Sequence, residues 1–88
     1  MPEITLTVRN KVGLHARPAA RLVEITARYD ADIFLKKGDL EVNAKSIMGI
    51  LMLAAERGTE ITVRSEGRDE EDMTQAVTDL LEGKIDED

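Results

Sequence analysis

One histidine, His15, stands in the stretch Gly13-Leu14-His15-Ala16-Arg17-Pro18-Ala19-Ala20, with an arginine two residues on and a proline directly after it. Neutral imidazole is a nucleophile near pH 7, and a guanidinium can fork onto two phosphate oxygens, so the two side chains together could accept and hold a phosphoryl group. A strand pattern leads into the stretch and a helical pattern leads out of it. His15 is therefore expected at a helix mouth, where unpaired backbone N–H groups and the positive end of the dipole converge into an anion site. The competing reading is a surface histidine or cap, with Pro18 serving only to start the helix.

The elements that must position this stretch follow from periodicity. Glu3 to Arg9 alternates, with Ile4, Leu6 and Val8 on one side, as a half-buried strand does. Asn10 to Gly13 turns the chain. From Pro18 to Tyr29 the spacing of Ala19, Leu22, Val23, Thr26 and Ala27 fits one helical face. Ala31 to Lys37 reads as a strand, Gly38-Asp39 as a tight hairpin, and Leu40 to Asn43 as its return. A second helix is expected from Ser46 to Arg57, closed by Gly58, with Ser46 as its N-cap. Glu60 to Glu66 supplies the last strand. A third helix starts near Asp69, carries Met73, Ala76, Val77, Leu80 and Leu81 at core spacing, and stops at Gly83; Lys84 to Asp88 is read as a frayed acidic tail.

That order, strand-helix-strand-strand-helix-strand-helix, predicts an α+β two-layer sandwich with helices on one face of an antiparallel sheet. Eighty-eight residues suit a single domain over 1–88. There is no cysteine, no apolar segment of targeting type and no long apolar span, so a cytoplasmic protein without membrane insertion is expected. The net charge of −6 argues against nucleic-acid binding. Its distribution is uneven: +3 over residues 1–29, −1 over 30–59 and −8 over 60–88. Arg9, Lys11, Arg17 and Arg21 thus gather about His15, a field that favours an acidic or phosphorylated partner. No Asp/Glu/His cluster suggests a metal, and no cofactor is expected.

The second helix has more apolar residues than one sheet can cover. Ile50, Leu53 and Ala54 share one face and Ile47, Met48, Leu51 and Met52 the other, and the second face is assigned to partner docking, where flexible methionines adapt to several targets. Some of these residues, Met52 least clearly placed among them, could instead pack against neighbouring loops.

The stretch Gly-Leu-His-Ala-Arg-Pro-Ala, followed by Asn43-Ala44-Lys45-Ser46-Ile47-Met48-Gly49-Ile50, resembles the two signatures of the HPr family, the histidine phosphocarriers of the bacterial phosphotransferase system, and the similarity spans essentially the whole chain. The resemblance implies an open-faced β-sandwich of four antiparallel strands with three helices on one side. It implies phosphorylation of His15 on Nδ1 by enzyme I, itself charged by phosphoenolpyruvate, and transfer to an enzyme IIA domain. The protein is then a carrier and not an enzyme with its own turnover. Arg17 would help bind the phosphoryl group, and Leu14, Ala20 and Arg21 would extend the docking patch. Ser46 matches a serine that an ATP-dependent HPr kinase/phosphorylase modifies in many members, and its phosphate would repel the groups that approach His15. A monomer is expected.

Two features depart from many members. Val12 stands where a small polar residue often sits, and Asn10-Lys11-Val12-Gly13 with the ending Asp86-Glu87-Asp88 looks more like nitrogen-related or regulatory HPr proteins. The sugar-uptake and regulatory branches therefore both stay open. An adaptor whose output is state-dependent binding to a regulator or kinase is the second reading, against which the nucleophile His15 argues.

Overall fold

The structure is a computed structural model that describes residues 3–10 and 13–83. Seven elements follow in chain order: β1 (Glu3–Thr7), α1 (Ala16–Thr26), β2 (Asp32–Lys37), β3 (Leu40–Asn43), α2 (Ile47–Leu53), β4 (Glu60–Glu66) and α3 (Glu70–Leu81). The strands form one antiparallel sheet in the order β1-β4-β2-β3. The α+β class and the open-faced sandwich expected from the sequence are what the chain adopts.

Strand alternation decides which face of the sheet the helices cover. Leu6 of β1, Ile33 and Leu35 of β2, Val42 of β3 and Ile61 and Val63 of β4 are buried on one side. They meet Leu22 and Ile25 of α1, Ile50 and Leu53 of α2, and Met73, Val77 and Leu80 of α3. Burying each of these side chains contributes about 1.5–3 kcal/mol before the chain entropy is set against it. Ser65, next inward on β4, is also buried and is satisfied by the Thr74 hydroxyl of α3 at 2.6 Å. The opposite face stays polar: Thr5 meets Thr62 at 3.3 Å, while the Arg64 guanidinium lies 4.6 Å over the Phe34 ring and forks onto Glu41.

Several boundaries differ from those the sequence suggests. α1 begins at Ala16, two residues before Pro18, and ends at Thr26 instead of Tyr29. Pro18 is thus the third helical residue, a place where a proline costs nothing because no N–H of the first turn has an intrahelical acceptor. Thr26 closes the helix by donating its hydroxyl to the Ala44 carbonyl at 3.0 Å, which ties α1 to the segment before α2. β1 ends at Thr7, although Val8 continues its pairing by donating to Thr59 O and accepting from Gly58 N–H.

The largest correction concerns α2, which spans Ile47–Leu53 and not Ser46 to Arg57. Ala54 takes a left-handed conformation (φ 51°, ψ 41°) and its N–H returns to Leu51 O, so the helix stops there. Ala54 is consequently exposed, not a member of the buried face with Ile50 and Leu53. The early stop frees Ala55 to turn inward and offer its carbonyl to the His15 loop. At the other end of the sheet, Asp69 precedes α3 but makes no side-chain cap; its carboxylate accepts the N–H groups of Asp30 and Ala31, each at 2.9 Å. The expectations for Lys11, Val12 and the tail from Lys84 to Asp88 lie outside the described residues.

Candidate functional site

His15 is the N-cap of α1, with an extended backbone (φ −84°, ψ −167°) and its carbonyl accepting the first helical bond from Ala19 N–H at 3.0 Å. Its imidazole makes no capping bond and is exposed. Pro18 has no N–H, so those of Ala16 and Arg17, which lack intrahelical partners at a helix start, line the mouth. Arg17, at the second helical position, is exposed beside them. A nucleophile, a fork-shaped cation and a set of N–H donors therefore share one helix end, which is what binding a dianion at His15 requires.

The loop before His15 is held from beneath. Gly13 has a φ of 76°, and a Cβ there would lie 2.5 Å from the Ala55 carbonyl oxygen and 2.8 Å from Glu56 Cα. Only glycine permits this approach. The contact lets Leu14 N–H reach Ala55 O at 2.8 Å and lays Leu14 into the core, 3% exposed. Leu14, expected in the docking patch, is thus a core residue whose side chain anchors the loop. A shallow depression runs between Leu14 and His15 on one side and Leu51, Ala54, Ala55 and Glu56 on the other.

Beside it lie the apolar residues expected at the surface. Ile47 is 43% exposed, Met48 67% and Met52 61%, while Leu51 is half-buried against the core. Ala20 is exposed on α1, and Arg21 pairs with Glu24 at 3.0 Å in an exposed bridge that contributes little to stability. Ser46 caps α2: its Oγ accepts Gly49 N–H at 3.1 Å, and its carbonyl accepts Ile50 N–H. Lys45 reaches back to the Tyr29 carbonyl at 2.8 Å, so the Ser46 end of α2 sits by the C-terminal end of α1 and His15 by its start.

Ala54, Ala55 and Glu56, which line the depression beside His15, and Asn10, buried below the loop, have no clear signal of that placement in the sequence. A helix continued to Arg57 hides the first three, which lie beyond the end of α2 at Leu53. Asn10 carried only a turn signal, yet it is a buried polar residue beneath the loop. Among the described residues, no group of three or more His, Asp or Glu could hold a metal, and no helix is long and apolar enough to cross a membrane.

A family model described as the PTS HPr component phosphorylation site matches residues 2–83. The chain belongs to the HPr family. It is 48% identical over 88 residues to the phosphocarrier protein HPr of Xylella fastidiosa strain Temecula1, covering 100% of this chain and 99% of that one. The crystal structure of HPr from Thermoanaerobacter tengcongensis superposes with a TM-score of 0.93 at 43% identity, covering 100% of this chain and 99% of that one. Crh, the catabolite repression HPr of Bacillus subtilis, matches with a TM-score of 0.78 at 39% identity over 99% of this chain and all of its own, and was crystallised as a swapped dimer. As an HPr-family chain, this protein is a phosphocarrier of the phosphotransferase system.

Proposed function

We propose that His15 carries the phosphoryl group on Nδ1, taking it from phosphorylated enzyme I and giving it to an enzyme IIA domain. The observation that carries this reading is an exposed imidazole at a helix N-cap, outside the capping bonds, with Arg17 two residues into the helix. In the forward step the Nδ1 lone pair attacks phosphorus, the bond to the donor breaks, and its electron pair returns to the donor. Transfer to the acceptor repeats the step with His15 as leaving group. The N–H groups of Ala16 and Arg17 and the Arg17 guanidinium carry the charge of the group in transit, so positioning and electrostatics do the protein's share. Ile47, Met48, Leu51 and Met52 dock both partners in turn, with Ala20 and Arg21 at the margin, and one chain over 1–88 is the working unit.

Ser46 is the regulatory position in this reading. A phosphate there, added by an ATP-dependent kinase, would leave the helix start intact, since an anion suits that end. Ser46 and Ala54, the two caps of α2, are eight residue steps apart, about 12 Å at a rise of ~1.5 Å per residue. That is longer than the Debye length of about 8 Å at physiological salt. The charge therefore acts on the docking surface at Ile47 and Met48, and through it on enzyme I and IIA, more than on the imidazole itself.

The test is phosphoryl uptake from phosphoenolpyruvate with enzyme I, comparing wild type with His15→Ala. Acid-labile label in the wild type that disappears in the variant supports the carrier role. Wild-type label that persists in His15→Ala, or an unlabelled wild type with competent enzyme I, would overturn it.

A further inference from the structure

Asn10 lies in the loop before His15, is 1% exposed, and has no part in the phosphoryl chemistry described above. A buried amide is costly unless its bonds are made, and an apolar side chain would fill the same space more cheaply. Its Nδ2–H donates to the Leu80 carbonyl at 3.1 Å, in the last turn of α3. The amide can face only this way, because a reversed group would set two acceptor oxygens together. The neighbouring Arg9 N–H donates to Leu81 O at 2.8 Å, so two carbonyls at the end of α3 are satisfied by the strand leaving β1. The Asn10 carbonyl in turn accepts Gly13 N–H at 3.0 Å, and the next residue, Leu14, is pinned to Ala55.

The loop is thus held at two points: to the end of α3 through Asn10, and to the segment after α2 through Leu14. The Asn10 Oδ1 remains buried with no hydrogen-bond partner among the described residues. We propose that Asn10 is a positioning residue for phosphoryl transfer, clamping the His15 loop to the C-terminal turn of α3 so that the imidazole and the N–H groups at the α1 mouth keep a fixed relation. This role rests on His15 being the phosphoryl acceptor.

Loss of the clamp has a kinetic signature that loss of stability lacks. The main exposed docking residues, Ile47, Met48 and Met52, are on α2, and the Leu14–Ala55 bond remains, so partners still bind. The orientation of His15 relaxes, and misplacement of a reacting group by about 1 Å costs up to ~100-fold in rate. Enzyme I should be assayed with phosphoenolpyruvate and this protein as the varied substrate, using wild type, Asn10→Ala and Ser65→Ala. The Ser65 variant loses a buried polar contact between β4 and α3 that is outside the loop. Expected for Asn10→Ala is a fall in kcat of about ten-fold with KM within about two-fold, while Ser65→Ala keeps both constants at a similar loss of stability.

Equal kinetics for the two variants, or a change in KM alone, would overturn the role. If Asn10→Ala does not fold, exchange of the Asn10 side-chain amide protons in the wild type decides instead: protection supports the clamp and exchange at the solvent rate refutes it. An unlabelled wild type would sink the carrier reading and this role together. A labelled wild type matched by Asn10→Ala would sink this role alone.

Discussion

Gly13→Ala and Gly38→Ala put the same methyl group at two left-handed positions, and only one of them has room for it. At Gly38 (φ 60°) nothing lies within 4 Å of the added Cβ, whereas at Gly13 (φ 76°) the Ala55 carbonyl oxygen is 2.5 Å away and Glu56 Cα 2.8 Å. Both variants bear the left-handed penalty of about 1–2 kcal/mol. Gly13→Ala adds an overlap with main chain, which cannot swing aside as a side chain can, and overpacking of this kind costs about 1–3 kcal/mol more. The total of about 2–5 kcal/mol is a large share of the ~4–13 kcal/mol typical of an 88-residue domain. Relieving the overlap moves the acceptor of the Leu14 N–H bond, and with it the residue before His15. Urea unfolding followed by circular dichroism measures the first effect, and phosphoryl uptake from enzyme I the second. Gly38→Ala should lose about 1 kcal/mol and keep full uptake; Gly13→Ala should lose at least ~2 kcal/mol and take up label more slowly while still folded. Equal unfolding midpoints for the two variants would refute the reasoning.

Three further outcomes are expected. Ser46→Ala removes the acceptor of Gly49 N–H and should lower stability by about 1 kcal/mol in urea titrations, whereas Ser46→Asp, which keeps an N-cap acceptor, should lose less. The Asp69 carboxyl is held below the usual carboxylate range, first by the Asp30 N–H and also by the Ala31 N–H. A folded-state value lower than the unfolded one gives stability that is present above about pH 4 and lost as pH falls through the depressed value, so Asp69→Ala should flatten the acid limb of a stability-against-pH curve and reduce stability at neutral pH. Replacing Ile47 and Met48 together by serine should raise KM for enzyme I by about ten-fold with little change in kcat or in unfolding midpoint, since both side chains are exposed and only uniform binding is removed.

The sheet, the Gly38-Asp39 hairpin and the third helix were legible because each rests on a local signal: alternation in Ile61 and Val63, a glycine at the turn, and Met73, Val77 and Leu80 at helical spacing. The sandwich followed from their order. Misread boundaries arose where several local solutions were equally allowed. Pro18 fits any place in a first helical turn, so its presence could not separate a start at Ala16 from one at Pro18. The run Leu51-Met52-Leu53-Ala54-Ala55 is apolar throughout, and nothing in it announces that Ala54 turns left-handed; that conformation is imposed by the need to bring Ala55 under Gly13 and lead the chain into β4. His15 and Arg17 could be read as a pair from spacing alone. The Asn10 contact with Leu80 spans seventy residues, and no local pattern encodes it.

The place of β4 in the sheet sets a timetable for the growing chain. β1 emerges from the ribosome before the other described strands, but its one neighbour among them is β4, which begins at Glu60. At synthesis rates of about 5–20 residues per second, the wait is about 3–10 s. During that time the β2–β3 hairpin, whose strands are separated by two residues, can form within microseconds and re-form repeatedly. The first strand made is thus bound to be among the last placed, and the His15 loop that follows it acquires its floor only once α2, Ala55 and β4 have left the exit tunnel. A nascent chain stopped before Glu60 would carry the complete phosphorylation signature and still have no formed site to present.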